Sequence, residues 1–147
     1  MLSIDTNVLL PAVDAEDKSH AAAAAFLQSL QGREDVAISE FILLELYGLL
    51  RNPAVLARPL GAAAAAHVCE AFRAHPRWQL VGFPPDSRAF HDQLWPLLRE
   101  KGIARRRAYD LRTALTLLRN GVTEFATVNE KDFQGIGFRR VWNPLSV

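Results

Sequence analysis

A single cysteine, Cys69, stands in the 147-residue chain, so no internal disulfide can form. It lies in the helical context AAAAAHVCEAF and reads as a packed small hydrophobe rather than a nucleophile. A reducing cytoplasm suits it. Long apolar runs are also missing. The longest, Phe41 to Leu50, is broken by Glu45 and falls well short of the ~20 residues of a membrane span. No basic segment precedes the opening Leu2-Ser3-Ile4, and Asp5 ends that run at once, so no secretory leader is visible. Charge of one sign is lacking too. At a net +1 the whole-molecule field attracts no particular partner, and any phosphate binding must come from local clusters. His20, His67, His75 and His91 have no ligand spacing with one another or with Cys69, which argues against zinc.

What is present suits one domain over residues 1–147. Half the residues are hydrophobic (50%) and 22% are charged, enough for a real core. A domain near this size buries about 70% of its unfolded surface and needs no staple.

The pattern alternates. Short apolar strands are expected at Leu2–Asp5, Val36–Ile38, Trp78–Val81 and Glu124–Val128, with a final edge strand at Val141-Trp142. Between them lie helices: one through Val8–Leu10 capped by Thr6-Asn7, then Ala21–Leu30, Glu40–Leu50 capped by Ser39, and Ala62–Ala74. Asp86 or Ser87 starts another, running to about Lys101 with Pro96 as a kink. The last long helix spans roughly Asp110–Arg119, and Lys131-Asp132-Phe133 forms one turn. Strands that alternate with helices and are apolar throughout predict an α/β fold. The expected architecture is a three-layer α/β/α sandwich around a mainly parallel sheet.

Three acids stand where an acid is costly. Asp5 follows the first strand directly, and ligand sites in open parallel sheets gather outside such strand ends. As a bland alternative, Asp5 is a helix cap or turn residue. Glu45 lies beside the inward stripe Ile42, Leu43, Leu46, Leu49 and Leu50. There it needs a cation, a buried arginine, or a helix face more open than the pattern suggests. Asp110 follows Arg105, Arg106 and Arg107 near a helix start, where it can serve the helix dipole or pair with an arginine. Beyond the last strong strand, Thr127, Asn129 and Asp132 can face the same rim, or can simply make a turn. A doubly wound sheet brings all of these toward one edge. Carboxylates converging there repel unless a cation lies among them. Hard oxygen donors without His or Cys suit Mg2+ or Mn2+.

In that order the motifs resemble those of PIN domains, and in particular the VapC toxins. The resemblance rests on Ile4-Asp5-Thr6-Asn7-Val8-Leu9, on Ser39-Glu40-Phe41-Ile42-Leu43-Leu44-Glu45-Leu46, on Tyr109-Asp110-Leu111-Arg112-Thr113-Ala114 and on Phe125 to Phe133. The ending Val141-Trp142-Asn143-Pro144-Leu145 is similar to that of some VapC toxins. It implies a metal-dependent endoribonuclease that forms homodimers and is silenced by a cognate antitoxin. It implies Asp5, Glu45 and Asp110 around Mg2+ or Mn2+, with Thr6 and Ser39 as supporting polar residues. Asn129 stands where many relatives carry an aspartate, and Asp132 is the nearby substitute.

For the RNA backbone the chain offers Arg105, Arg106, Arg107 and Arg112, with Lys131 beside them. Tyr47, Tyr109 and Trp95 are candidates for base stacking. Apolar helix faces near Leu43 and Leu60 are compatible with pairing of two copies. A non-catalytic PIN-like module that binds RNA or protein is the main rival. A dehalogenase-type phosphatase needs a second aspartate at position 7, where this chain has Asn7, and a receiver-like domain needs an early acidic pair that is missing.

Overall fold

Three residues suffice for the central strand. In the computed structural model, which describes residues 1–146, β1 (Leu2–Ile4) is buried throughout and has a parallel neighbour on each side. Leu2 and Ser3 lie opposite Val36 and Ala37 of β2 (Val36–Ser39). On the other flank Leu2, Ser3 and Ile4 lie opposite Glu124, Phe125 and Ala126 of β4 (Glu124–Ala126). Outside these run β3 (Gln79–Val81), next to β2, and β5 (Arg140–Trp142), next to β4. The order is β3-β2-β1-β4-β5, and every pairing is parallel.

Among the described residues seven helices fill the connections: α1 (Thr6–Val13), α2 (His20–Leu30), α3 (Glu40–Leu50), α4 (Ala62–Arg73), α5 (Ser87–Leu97), α6 (Arg107–Arg119) and α7 (Glu130–Phe133). From β1 to β3 the chain moves one way across the sheet, and from β3 to β5 it moves back. Right-handed crossovers therefore put α1 to α4 on one face and α5 to α7 on the other. The contacts agree: α1 packs on α2 and α3, α3 on α4, and α6 on α5 and α7. The expected three-layer α/β/α architecture is present. The main core joins strand residues such as Ile4, Ile38 and Phe125 to Val8, Leu9, Leu46 and Leu117. A smaller cluster of Phe90, Leu94, Leu111 and Leu115 glues α5 to α6.

Several boundaries differ from the sequence reading. Asp5, not Thr6 or Asn7, caps α1, and the helix continues through Pro11 to Val13. α5 stops at Leu97 rather than near Lys101, and α6 starts at Arg107 rather than Asp110. β4 ends at Ala126: the Thr127 N–H still meets the Trp142 carbonyl of β5 at 2.9 Å while its hydroxyl turns to Asp5, and the Val128 N–H leaves the sheet for Asn7. Leu43 is buried and Leu60 half-buried, so the exposed apolar residue of that helix face is Leu44. Cys69 is buried, and its thiol lies 3.3 Å from the Leu43 carbonyl, as a packed residue should.

Candidate metal centre

Asp5 leaves the carboxyl end of β1 at the point where the strand order reverses, between β1 and β4. That crevice is where open parallel sheets leave room for ligands. One carboxylate oxygen accepts the Thr6 N–H at 2.7 Å, and the other accepts the Thr127 hydroxyl at 2.6 Å across the crevice. Thr127 is wholly buried, and its hydroxyl is fully used. Besides donating to Asp5, it accepts from Asn7 Nδ2 and from the Asn129 N–H, each at 3.1 Å. Asn7 Oδ1 in turn accepts the Val128 N–H at 3.0 Å. Asn7 thus clamps the start of α1 to the segment after β4. Sequence reasoning gave it no such role, since its partners are 120 residues away.

Glu45 and Asp110 approach from the two helical layers. Ser39, buried at the end of β2, accepts the Phe41 N–H at 3.1 Å and so starts α3 directly above the strand end. Its contact is with the helix rather than with a carboxylate, so it positions Glu45 from a distance. Glu45 lies in the second turn of α3; the residue is exposed overall, but it borders the cleft it shares with Asp110, Arg106 and Arg112, and its carboxyl is partly screened from water there. Asp110 is half-buried in the first turn of α6. Thr6 is buried, with its hydroxyl 3.4 Å from the Ile42 carbonyl and turned toward Glu45, whose charged form it favours.

The three acids feel one another. Burial, then the charges of Glu45 and Asp110, push the Asp5 carboxyl up to about 6 against the Thr127 and Thr6 hydrogen bonds that hold it down. Burial and Asp110 raise Glu45, with Arg106 and Arg112 acting the other way. Burial and Asp132 raise Asp110, opposed by Arg106 and Arg107. Among the described residues none of the three forms an ion pair. The ion pairs lie elsewhere, such as Arg33 with Asp35, Arg73 with Glu40 and Arg139 with Glu124. Asp132, on exposed α7, is the further acid that bears on Asp110. Asn129 is exposed, and its side chain makes no hydrogen bond among the described residues.

This donor set suits a hard divalent ion: oxygen donors, and no ion pair to any of the three acids among the described residues. Among the described residues no three His, Cys, Asp or Glu side chains are close enough to ligate one ion together. Magnesium takes one or two carboxylates and keeps several waters, so a loose arrangement meets its needs.

A cleft of about 350 Å³ opens beside the carboxylates, lined by Glu45, Asp110, Phe41, Tyr109, Arg106 and Arg112. The arginines divide. Arg106 and Arg112 border this cleft, Arg105 is exposed, and Arg107 donates to the Asp132 carbonyl and so ties α6 to α7. Arg112 lies over the Phe41 ring at 4.0 Å, with Tyr109 at 5.3 Å, and its buried Nε has no hydrogen-bond partner. Of the aromatic candidates, Tyr109 reaches the site. Tyr47 instead meets Arg51, and Trp95 is exposed on α5.

A family model described as PIN domain matches residues 2–138. Ribonuclease VapC24 of Mycobacterium tuberculosis, in strains CDC 1551 / Oshkosh and ATCC 25618 / H37Rv, is 50% identical over 146 residues. The match spans 99% of this chain and 98% of that protein. Among solved structures, Mycobacterium tuberculosis VapC20, a sarcin-ricin loop cleaving toxin, superposes with a TM-score of 0.69 at 20% identity. It covers 94% of this chain and 96% of its own. VapBC2 from Rickettsia felis, bound to a DNA fragment from their promoter, gives 0.65 at 18% identity and covers 97% of each chain. At those identities the two solved structures speak for the fold.

Proposed function

Since this chain belongs to the PIN domain family, and within it to the VapC ribonucleases, we propose that it is a magnesium- or manganese-dependent endoribonuclease that hydrolyses RNA phosphodiester bonds. The observation that supports this reading is that Asp5, Glu45 and Asp110 stand near one strand-end crevice, each raised by burial and by a neighbouring carboxylate, and none in an ion pair among the described residues. Such an arrangement is unfavourable for an isolated protein and favourable for one that takes up a divalent cation.

Asp5 and Asp110 would hold the ion, and Glu45 would hold it or orient the attacking water. When bound, Mg2+ or Mn2+ supplies a Lewis acid that polarises a phosphate oxygen and acidifies water. Thr127 and Thr6 fix Asp5 in position, and Asp132 stands nearest to the fourth acidic place that Asn129 leaves open. Arg106 and Arg112, at the lip of the cleft, neutralise the RNA backbone and hold it against the acids. Arg105, exposed just before α6, adds to the same attraction.

The same reading makes the protein the toxin half of a two-protein system. It would be held inactive in the cytoplasm by a cognate antitoxin and would form a homodimer. The resemblance to VapC toxins and the shared fold with VapBC2 support this.

The test is cleavage of a single-stranded RNA mixture by the purified protein. Cleavage should require Mg2+ or Mn2+ and stop with chelator. It should fall on the order of 100-fold or more in Asp5→Asn and Asp110→Asn. Metal-dependent cleavage that survives both substitutions would remove these residues from the site. No cleavage at all, with RNA still bound, would favour the non-catalytic module.

A further inference from the structure

A second cleft, of about 360 Å³, adjoins the first and shares two of its walls, Phe41 and Arg112. Its character differs. Where the first is ringed by acids and arginines, the second is built from Phe41, Phe83 and Phe90, with Ser87, His91 and Arg112 as its polar groups. Phe90 is buried and forms the floor. Phe83 meets Phe41 edge-on, with centroids 4.9 Å apart, yet leaves 72% of itself exposed. A large aromatic ring held against a buried one but left open to water is a platform for another flat group.

The polar groups say which flat group. His91 Nδ1 lies 2.6 Å from the Ser87 carbonyl, which can only accept, so Nδ1 carries the proton. In the neutral ring Nε2 is then an acceptor, and among the described residues nothing donates to it. At the boundary of the two clefts, the Arg112 guanidinium lies over the Phe41 ring, 4.0 Å from its centroid, with its Nε unpartnered among the described residues. Aromatic walls, one hydrogen-bond acceptor and a cation at the mouth leading to the carboxylates match one nucleotide. The base would stack, its N–H edge would meet His91, and its phosphate would lie toward Arg112 and the acids.

We propose that this cleft holds one nucleobase of the RNA next to the bond that is cut. Phe83 is its stacking platform, and His91 reads its edge. The inference rests on the ribonuclease reading above and adds to it a device for sequence preference. Arg112 links the two clefts, so a base seated against Phe83 fixes the position of the neighbouring phosphate.

The test is fluorescence anisotropy with labelled single-stranded octamers of A, C or U and an abasic octamer of equal length, with chelator present so that nothing is cut. The wild-type protein should bind base-bearing octamers more tightly than the abasic one. Phe83→Ala should lose about 5- to 150-fold of that affinity while abasic binding stays unchanged. Phe83→Trp should retain it. His91→Ala should narrow the differences among A, C and U. Phe83 is largely exposed, so Phe83→Ala should melt like the parent, and the Trp variant guards against a folding artefact.

Equal binding of every octamer by the wild type and Phe83→Ala would overturn the base site and leave the ribonuclease reading standing. Loss of self-association in Phe83→Ala, with RNA binding intact, would assign the cleft to a second copy and overturn it as well. Failure of the wild-type protein to bind any octamer would overturn the base site, while the metal-dependent cleavage assay decides the ribonuclease reading separately.

Discussion

Burial and two neighbouring acids hold the Asp5 carboxyl near 6, although Thr6 and Thr127 both hydrogen-bond to its charged form. The unfolded chain lacks this shift and ionises near 3.8. The folded state therefore binds the proton more tightly, and folding pulls against ionisation. The penalty is absent below about pH 4, grows between about 4 and 6, and is constant above. A shift from 3.8 to about 6 corresponds to on the order of 3 kcal/mol at neutral pH. Asp5→Asn removes that charge. It also leaves an amide facing the Thr127 hydroxyl, whose two acceptor positions Asn7 and Asn129 already fill, a loss of about 1 kcal/mol. The metal-free Asp5→Asn protein should thus be more stable than the parent by roughly 1–2 kcal/mol at pH 7, and no more stable below about pH 4. Urea denaturation at the two pH values measures this. A variant less stable at both would show that the Thr127 contact outweighs the charge. Asp5 was legible in the sequence because an acid ends an apolar strand. Phe83 was not, since it lies between Gly82 and Pro84 in a loop with no period to reveal which way a ring points.

Among the elements, α6 carries most of the functional load. Its first turn holds Asp110, and Arg112 follows on the face toward Phe41. Its far end is fixed by a Schellman closure: the Val122 N–H meets the Leu117 carbonyl, and the Gly121 N–H meets the Leu118 carbonyl, both at 3.1 Å. Gly121 has φ +80°, and a β-carbon there would meet only Met1 Cε at 3.7 Å. Gly121→Ala should therefore cost about 1 kcal/mol through the backbone alone, lowering Tm by about 2–4 °C. A thermal melt reads the shift, and an unchanged Tm would mean that the turn relaxes freely. The helices themselves were legible from alanine runs, caps and prolines. The setting of Glu45 was legible only as a choice among a cation, an arginine and an open face. Its neighbours Ile42, Leu43 and Leu46 are buried as the spacing predicts, while Glu45 borders the cleft that α3 shares with α6, a partner far away in sequence. Arg107 looked equivalent to Arg106 in the run. Its bond to the Asp132 carbonyl spans 25 residues, and nothing local announces it.

At the scale of the whole molecule, the reversal of direction across the sheet creates the site. With β1 in the middle, the connections to β2 and β4 leave on opposite faces, and the helix starts of α1, α3 and α6 meet over one crevice. The alternation of strands and helices made the layered class legible. The order β3-β2-β1-β4-β5 was not, because strand neighbours are chosen by contacts far apart in sequence. Placing three acids on three elements that meet at one edge concentrates negative charge, which a bound divalent cation would relieve. Calorimetric titration of Mg2+ or Mn2+ into the RNA-free protein tests this most directly. The prediction is saturable binding at about pH 7.5 that weakens as pH falls through about 6 and is lost in Asp5→Asn and in Asp110→Asn. Binding of equal strength in all three proteins, or none in the wild type at either pH, would contradict it.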